Sequence, residues 1–566
     1  MSDEQETIPE ANAPKPIRID KRSLFTPSEA VAVEQHSTTP HVSRTRYGTA
    51  RIEGRLSSPN ARVPAVISQH CGGITVKGHT LKSFAYTTDA AIIRNTKDRI
   101  MVIQGAAGSG KTSIALHRIA YLLYHERDTL KSSNILILSP NSVFADYISH
   151  ILPELGEENI REMSFDLYAY KELRKGVAAD CEDRYDQLER RMKFPDESAQ
   201  NRFDWKQSKD FIGEIEGFLA ILEDRLMEFK EIEFRGMTLT EEDLIQLFYY
   251  KFTETPLLKR MDAVKDYFID SWETLKGRNI SEDDQEMLQM KFDKMYTTKD
   301  IYTIYNWMLD DCGCDLLPEV PYEKRKLPYE DVFPMLYLKY RLSGGNSTHK
   351  NIKHLVIDEM QDYTYLQYTI LESLFHCRMT ILGDRAQTLD TKQQDVLRFL
   401  PKLLGREIRT IEIKKSYRNT LEIARYAEKV SGVSDLELLD RHGKEVVEKT
   451  FNTDTELLDE LVCHLKCPGD FETAALITTT EEEAFDLSRL LKLRGINVSY
   501  VDRNSSAFKK GLTVTTFYLA KGLEFDQVFA LRGAKENPLK NQAEYICATR
   551  ALHELYVYEI ADSLSK

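Results

Sequence analysis

The sequence has little cysteine, little tryptophan and no long apolar segment. It holds 8 cysteines and 3 tryptophans among 566 residues. Two close cysteine pairs occur, Cys312 with Cys314 and Cys463 with Cys467. Neither pair has a second pair at zinc-ligand spacing, so we expect buried thiols rather than a structural metal or a disulfide. Because no apolar run approaches the ~20 residues of a membrane-spanning helix, we also expect no membrane partner.

Basic residues are in the minority as well. Asp and Glu number 90 against 76 Lys and Arg, which gives a net charge of −14. A chain with this charge repels polyanions as a whole, so any nucleic-acid site must be local. The opening MSDEQETIPE is acidic and unlike a targeting peptide, which predicts a cytoplasmic protein. The absence of a repeat of ~20–50 residues argues against a solenoid or a propeller.

The length predicts several domains, at ~100–200 residues each. The first 45 residues hold five prolines and scattered charge, which predicts disorder. Short β-like runs follow, and a long charged, aromatic stretch with helical periodicity comes later. The expected parts are a disordered tail (1–45), a small strand-rich element (46–85), a first α/β domain (86–167 and 341–405), a helical insertion in it (168–340) and a second α/β domain (406–566).

Apolar runs of four to six residues mark the expected buried strands of parallel sheets. A helix is predicted at Ser113–Tyr124, after the first of them. The predicted strands are Arg99–Gln104, Ile135–Leu138, His354–Ile357, Met379–Leu382, Ala474–Ile477, Asn497–Val501, Leu512–Thr516 and Gln527–Leu531.

A complete phosphate-binding loop, GAAGSGKT, lies between the first of these strands and the predicted helix. Glycines allow backbone N–H groups to surround a β-phosphate, and the helix N-terminus adds positive potential. The lysine of such a loop reaches the β- and γ-phosphates, and its threonine offers a hydroxyl to Mg²⁺. The residues predicted to bind ATP in this loop are Gly105, Gly108, Ser109, Gly110, Lys111 and Thr112.

Hydrolysis also needs carboxylates, and the strand His354–Ile357 is followed by two of them. Asp358 should lie at the carboxyl end of a buried strand, where ligands bind in open α/β sheets. We expect Asp358 and Thr112 to hold Mg²⁺, the predicted cofactor, and Glu359 to act as the general base.

The segment Asp358–Asp362, DEMQD, resembles the DExxQD box of UvrD/Rep-type superfamily 1 helicases. Four later segments are similar to further boxes of that family, in the family's order: Gly383–Gln387 (GDxxQ), Lys415–Asn419 (NYRS), Thr515–Phe525 (TxHxAKGLEF) and Ala548–Ala551 (VTRA). The resemblance implies an α/β fold in which two RecA-like domains enclose ATP. The residue patterns add a mainly helical insertion and the short strand-rich element near the N-terminus to this fold.

The same resemblance implies roles for single residues. Gln387 is expected to sense the γ-phosphate, and Arg418 and Arg550 are expected to act as arginine fingers. Tyr417 is expected to stack on adenine, and Glu524 to lie near the ribose. The residues expected to contact nucleic acid are Asn141, Thr515 and Tyr518.

Three functions fit these features. The first is an ATP-driven motor that moves 3′→5′ on single-stranded or partly duplex DNA. The second follows from residues 100–165, which look most like the HelD/helicase IV branch, and it is an ATPase that remodels RNA polymerase. The third is a nucleotide-gated switch with negligible turnover, against which the presence of Glu359, Gln387, Arg418 and Arg550 argues.

Overall fold

The computed structural model describes residues 42–44, 49–52, 80–82, 90–140, 160–345, 351–389, 396–405, 407–432, 437–466, 471–503, 505, 510–533 and 537–561. The chain divides into a small unit, residues 1–95 with 116–121, and a large unit that comprises the rest. In the small unit, strands β1 (Val42–Arg44), β2 (Thr49–Ile52) and β3 (Thr80–Lys82) form an antiparallel sheet with β2 in the centre. Apart from β1, the predicted tail at 1–45 lies outside the described residues.

The remaining strands all belong to the large unit. In chain order they are β4 (Ile100–Gly105), β5 (Ile135–Leu138), β6 (Arg161–Met163), β7 (Asp180–Cys181), β8 (Ile232–Phe234), β9 (Met237–Leu239), β10 (Lys326–Leu327), β11 (His354–Ile357), β12 (Arg378–Gly383), β13 (Ile408–Ile413), β14 (Lys415–Ser416), β15 (Glu437–Leu438), β16 (Val447–Phe451), β17 (Thr473–Thr478), β18 (Ser499–Tyr500), β19 (Gly511–Thr516), β20 (Phe525–Arg532) and β21 (Ala551–Ile560).

The helices are numbered along the chain in the same way. They are α1 (Lys111–His125), α2 (Phe165–Leu173), α3 (Arg184–Lys193), α4 (Glu197–Lys206), α5 (Lys209–Leu226), α6 (Glu241–Gln246), α7 (Leu257–Lys276), α8 (Glu282–Asp293), α9 (Ile301–Asp311), α10 (Tyr329–Ser343), α11 (Tyr365–Leu374), α12 (Val396–Leu403), α13 (Leu421–Ser431), α14 (Asp454–Lys466), α15 (Glu481–Leu493) and α16 (Lys540–Arg550). None of those in the described ranges combines the length and the apolar character needed to span a bilayer.

Two six-stranded sheets organise the large unit, and all neighbouring strands in both are parallel. The first sheet has the order β13-β4-β12-β11-β5-β6. The second has the order β16-β21-β20-β17-β19-β18. Strands β4, β5 and β11 are buried along their whole length, because they are mainly apolar and lie between neighbouring strands. Parallel strands bring their carboxyl ends to one edge, where a site can form.

The predicted strands agree well with the observed ones. Strands β5 and β11 have the predicted bounds, and β4, β12, β17, β19 and β20 differ from the prediction by one or two residues at either end. The predicted strand at Asn497–Val501 is shorter in the structure, where β18 holds only Ser499 and Tyr500. Four strands that the sequence did not predict, β6, β13, β16 and β21, complete the two sheets.

The helical segment, which we define as Phe165–Ser343, connects β6 to β11. It contains helices α2 to α10, the antiparallel pair β8–β9 and the parallel pair β7–β10. Its interior buries Trp272, which is 1% exposed. It also buries an ion pair, because Lys206 Nζ lies 2.6 Å from Asp331 Oδ1 and the Tyr305 hydroxyl donates to the same oxygen at 2.6 Å. A buried charge pair needs such additional hydrogen bonds to offset its loss of hydration.

Candidate active site

The phosphate loop connects β4 to α1 through two glycines with left-handed backbone conformations. Gly108 has φ 74°, and Gly110 has φ 83° and caps the helix that begins at Lys111. Residues other than glycine rarely adopt such φ values. Position 108 also has no space for a side chain, because a Cβ there would lie 2.3 Å from the Cβ of Arg418. The loop therefore lies directly against the residue that was predicted to be an arginine finger.

The Lys111 side chain folds back over the loop. Its Nζ donates to the carbonyl oxygens of Gly105 at 2.8 Å and Ala106 at 3.0 Å. Burial lowers the pKa of Lys111 below its ordinary value, and the charges of Asp384 and Glu359 oppose that effect. These opposing charges indicate that the ammonium lies among carboxylates at one end of the sheet. Phosphate oxygens can replace the two carbonyls as acceptors, since a lysine ammonium binds phosphate as a point charge.

The two carboxylates after β11 have opposite electrostatic environments. The pKa of Asp358 is raised, first by burial and then by the adjacent Glu359. Burial also acts on Glu359, but the charges of Lys521 and Lys111 and a hydrogen bond from Gln361 hold the pKa of Glu359 below its ordinary value. Glu359 is therefore ionised at neutral pH, which is the state that a general base needs.

Gln361 connects Glu359 to the loop after β12. Gln361 Nε2 donates to Glu359 Oε2 at 2.6 Å, and Gln361 Oε1 accepts from the Asp384 N–H at 3.0 Å. Gly383 permits this approach, because a Cβ there would lie 2.3 Å from Met360 Cγ and 2.9 Å from the Met360 nitrogen. The Gln361 amide thus links the base to the loop that carries Gln387.

Gln387 is held between the two sheets' loops. Its Nε2 donates to Asp384 Oδ2 at 3.1 Å, and its Oε1 accepts from Arg550 Nη2 at 3.2 Å. Arg550 is the last residue of α16 and only 2% exposed. Burial, followed by the charge of Arg418, lowers the pKa of Arg550 to about 10. Arg418 in turn forms an ion pair with Glu524.

The segment after β14 connects the phosphate loop to α16. The Tyr417 N–H donates to the Gly108 carbonyl at 3.1 Å. Two residues later, Asn419 Nδ2 donates to the carbonyls of Ala551 at 2.6 Å and Ala548 at 3.3 Å. Both arginines predicted as fingers are therefore anchored by main-chain contacts close to the loop.

The comparison with protein families gives a match at residues 87–389, to the model described as UvrD/REP helicase N-terminal domain. The matched residues are more than half of the chain. The chain belongs to the UvrD/REP helicase family. Membership implies an ATP-hydrolysing enzyme that binds nucleotide and DNA, and the mixed α/β architecture with parallel sheets fits the RecA-like fold of helicases.

One solved structure similar to this UvrD/REP family member is the C-terminal domain of a possible DNA helicase from Lactobacillus plantarum WCFS1. The two are 25% identical, the match covers 26% of this chain and 88% of that chain, and the TM-score is 0.21. The comparison with curated proteins gives no significant match.

Enzymes of the UvrD/REP type generally use Mg²⁺, and Thr112 and Asp358 have the chemistry to hold it. Hydroxyl and carboxylate oxygens are the hard donors that this ion prefers. The charge of Lys111 acts on Asp358, and Thr112 follows Lys111 at the start of α1. A cation beside Asp358 would also offset the burial that raises its pKa.

Of the predicted nucleic-acid residues of this family member, the two that the structure describes, Thr515 and Tyr518, are buried. Thr515 is fully buried, and its hydroxyl donates to a backbone carbonyl next to β18 at 2.9 Å. Tyr518 is 1% exposed, and its hydroxyl donates to Glu189 Oε1 at 2.7 Å while its ring stacks on Tyr185 at 5.0 Å. Asn141 lies outside the described residues. The role of all three in nucleic-acid binding stays a prediction.

Helix α3, which covers Tyr518, carries contacts that the sequence did not predict. Arg184 at its start lies 3.5 Å from Asp362 Oδ2 and 3.6 Å from Asp166 Oδ2. Asp186 pairs with Arg503, next to β18, at 2.6 Å. The helix therefore contacts the loop after β11 in the first sheet and a loop of the second sheet. No box motif marks its sequence, RYDQLERRMK, so the sequence offered no signal.

Apolar contacts attach α3 to the second sheet as well. Leu188 and Met192, each 6% exposed, belong to the same buried cluster as Phe517 and Val528. Most of the other apolar residues of the helical segment belong instead to the core of the first sheet. Helix α3 is thus part of the helical segment by sequence and part of the second sheet's core by packing.

Sequence reasoning also assigned no role to Lys521, although the residue lies inside a recognised box. Its Nζ lies 2.7 Å from Asp362 Oδ2 and 3.7 Å from Glu359 Oε2, and the side chain is 3% exposed. Lys521 is thus one of the three cations, with Lys111 and Arg550, whose charges lower the pKa of Glu359. The available signal was its position in the AKGLEF part of the Thr515–Phe525 segment.

Proposed function

We propose that the chain is an ATP-driven superfamily 1 helicase or translocase that moves along single-stranded or partly duplex DNA in the 3′→5′ direction. The hydrogen bond between Gln387 and Arg550 carries this proposal, because it joins the loop after β12 of the first sheet to α16 of the second sheet. A site built from both sheets can couple the state of the nucleotide to the movement of one sheet relative to the other.

In this proposal, ATP binds with its β- and γ-phosphates on the loop amides and Lys111. Glu359 accepts a proton from the attacking water, for which its lowered pKa suits it. Mg²⁺ held by Thr112 and Asp358 neutralises phosphate charge when it is bound. The protein contributes position and charge rather than a covalent step, as in other phosphoryl transfers.

The second sheet supplies the positive charge that the transition state needs. Arg418 and Arg550 stabilise the charge on the γ-phosphate, and Gln387 orients the water. Tyr417 stacks on adenine, and Glu524, which now pairs with Arg418, lies near the ribose. We assign the first RecA-like domain to 86–167 with 341–405 and the second to 406–566, with the helical insertion at 168–340.

Steady-state ATP turnover, measured with and without single-stranded DNA at low and moderate salt, tests the proposal. Lys111→Ala should abolish turnover. Glu359→Gln should reduce kcat by ~10²- to 10⁴-fold and keep the affinity for a non-hydrolysable ATP analogue, because only the proton acceptor is lost. Glu228→Gln, at a solvent-exposed ion pair, is the matched control and should leave kcat unchanged.

Movement along DNA is tested separately, by the salt dependence of the stimulation and by the polarity of strand displacement. Stimulation by DNA should weaken as salt rises, because phosphate contacts release counterions. Strand displacement should require a 3′ single-stranded overhang on the duplex and fail with a 5′ overhang. Turnover that persists in the Lys111→Ala variant would contradict the assignment of the phosphate loop.

A second candidate is an ATPase of HelD type that remodels RNA polymerase. The observation that favours it is the burial of Tyr518 beneath α3, which keeps this side chain from contacting a nucleic-acid strand. Under this alternative, DNA would not change the ATP turnover of the purified protein, and added RNA polymerase would raise it. The two candidates therefore differ in which macromolecule stimulates the same site.

A further inference from the structure

A buried tyrosine one and a half turns before Arg550 reaches the loop after β12. Tyr545, on α16, is 3% exposed. Its hydroxyl donates to Asp384 Oδ2 at 3.1 Å. The second sheet's last helix thus contacts a loop of the first sheet through this side chain.

The acceptor of this hydrogen bond directs Gln387. Asp384 is 3% exposed, and its Oδ1 accepts from the Ala386 N–H at 3.1 Å. Its Oδ2 accepts from both Gln387 Nε2, at 3.1 Å, and Tyr545. A buried carboxylate is held by the donors around it, since each unsatisfied lone pair costs free energy. The Tyr545 hydroxyl is therefore one of three donors that fix the carboxylate on which Gln387 rests.

We propose that Tyr545 is a positioning residue for ATP hydrolysis, which acts by holding Asp384 and thereby aiming Gln387 at the γ-phosphate and the attacking water. This inference rests on the proposed function. The residue does not touch the reacting atoms itself. A displacement of about 1 Å in a group that positions a reactant can lower the rate ~10²-fold, so the rate of hydrolysis should depend strongly on the orientation of the Gln387 amide.

The contact made by Tyr545 also depends on the position of α16 relative to the first sheet. Because the hydroxyl comes from α16 and its acceptor Asp384 follows β12 of the first sheet, the hydrogen bond forms only while α16 lies against the loop after β12. Arg550 arrives on the same helix and binds the other end of the Gln387 amide. The orientation of the Gln387 side chain and the position of Arg550 therefore both depend on α16 packing against the first sheet.

Tyr545→Phe tests the inference, because it removes the hydroxyl and keeps the ring that fills the space. We expect kcat for ATP to fall by ~10- to 100-fold, with the KM for ATP and the affinity for a non-hydrolysable analogue within twofold of wild type. Tyr168→Phe is the matched control. It removes a hydroxyl from another buried pair, with Tyr340 at 2.6 Å in the helical segment, and should leave kcat unchanged.

A double variant separates positioning from general loosening of the structure. If Tyr545 acts through Gln387, adding Tyr545→Phe to the Gln387→Ala variant should lower kcat little below that of Gln387→Ala alone. The reason is that the two side chains work as one unit. Additive losses in the double variant would overturn the inference, and so would a wild-type kcat in Tyr545→Phe. A similar melting temperature for Tyr545→Phe and Tyr168→Phe is expected, since each loses one buried hydroxyl.

The failure of the inference is distinguishable from the failure of the proposed function. An active wild-type ATPase with an unaffected Tyr545→Phe variant would remove the role of the tyrosine and leave the motor in place. A wild-type protein with no ATP turnover, alone or with DNA or RNA polymerase, would remove both.

Discussion

Glu359 shows how much the chemistry of one side chain depends on the backbone that carries it. Its φ of 53° is unusual for a residue other than glycine, so the surrounding structure must hold it there. The turn directs the carboxylate toward Lys521 and the Gln361 amide. A strained residue at the end of a buried strand, with its charge stabilised by two lysines, has the features of a functional position rather than of a surface acid.

Glu162, on β6, is a carboxylate in the opposite situation. Both of its oxygens are buried without a hydrogen-bond partner in the part of the chain that the structure describes, and burial raises its pKa to about 7. The folded protein therefore keeps a proton that the unfolded chain releases near pH 4.5. The contribution of Glu162 to stability is therefore highest below that pH and falls as the pH rises toward 7.

We predict that Glu162→Gln flattens this dependence. The variant should have a higher urea midpoint than wild type at pH 8 and a similar one at pH 4.5, with a difference below about 3 kcal/mol because part of the side chain meets water. Urea unfolding at several pH values between 4.5 and 8 measures it, with Glu228→Gln as the exposed control. The same difference in midpoint between Glu162→Gln and wild type at pH 4.5 and pH 8 would contradict the prediction.

At the scale of the element, α3 depends on two apolar side chains in the core of the second sheet. We predict that Leu188→Ala lowers the free energy of unfolding by about 2–5 kcal/mol, the usual cost of a cavity at a buried leucine. Leu167→Ala, on α2, is the control, because that side chain is 62% exposed and should cost less than about 0.5 kcal/mol. Urea unfolding followed by tryptophan fluorescence compares them, and equal midpoints for the two variants would show that α3 is not held by this contact.

The sequence predicted the buried strands better than the edge strands, for a physical reason. Strands β5 and β11 are continuous apolar runs, which mark a strand that is covered on both faces. Strand β13, IRTIEI, lies at the edge of its sheet and is largely exposed, so its pattern is weak. Strand β21 follows α16 at Ala551 without a glycine or proline between them, so nothing in the sequence separates it from the helix.

The same contrast applies to the site. The residues around the phosphate loop could be predicted because short contiguous boxes carry them, and the structure brings Lys111, Glu359, Gln387, Arg418 and Arg550 together. The contacts that the sequence missed join distant positions. Glu189 and Tyr518 are 329 residues apart, and Tyr545 and Asp384 are 161 apart. Such pairs depend on how the helices pack, which a single sequence does not express locally.

At the scale of the whole molecule, a ligand that contacts both sheets should stabilise the entire large unit. We predict that a non-hydrolysable Mg²⁺–ATP analogue at 100 times its Kd raises the free energy of unfolding by about 2.7 kcal/mol. Lys111→Ala should lose this stabilisation, because the lysine is the cation at the phosphates. Urea midpoints with and without the analogue measure it, and equal stabilisation of both proteins would place the nucleotide elsewhere.

The double attachment of α3 decides how the chain can be shortened by design. The helical segment leaves β6 and returns at β11, so its replacement by a short linker looks like a simple way to a minimal ATPase. Such a truncation would remove Leu188 and Met192 from the core of the second sheet and uncover Phe517 and the ring of Tyr518. The newly exposed apolar surface would favour aggregation. A shortened version should therefore retain α3, and it should also keep the helices whose apolar residues belong to the core of the first sheet.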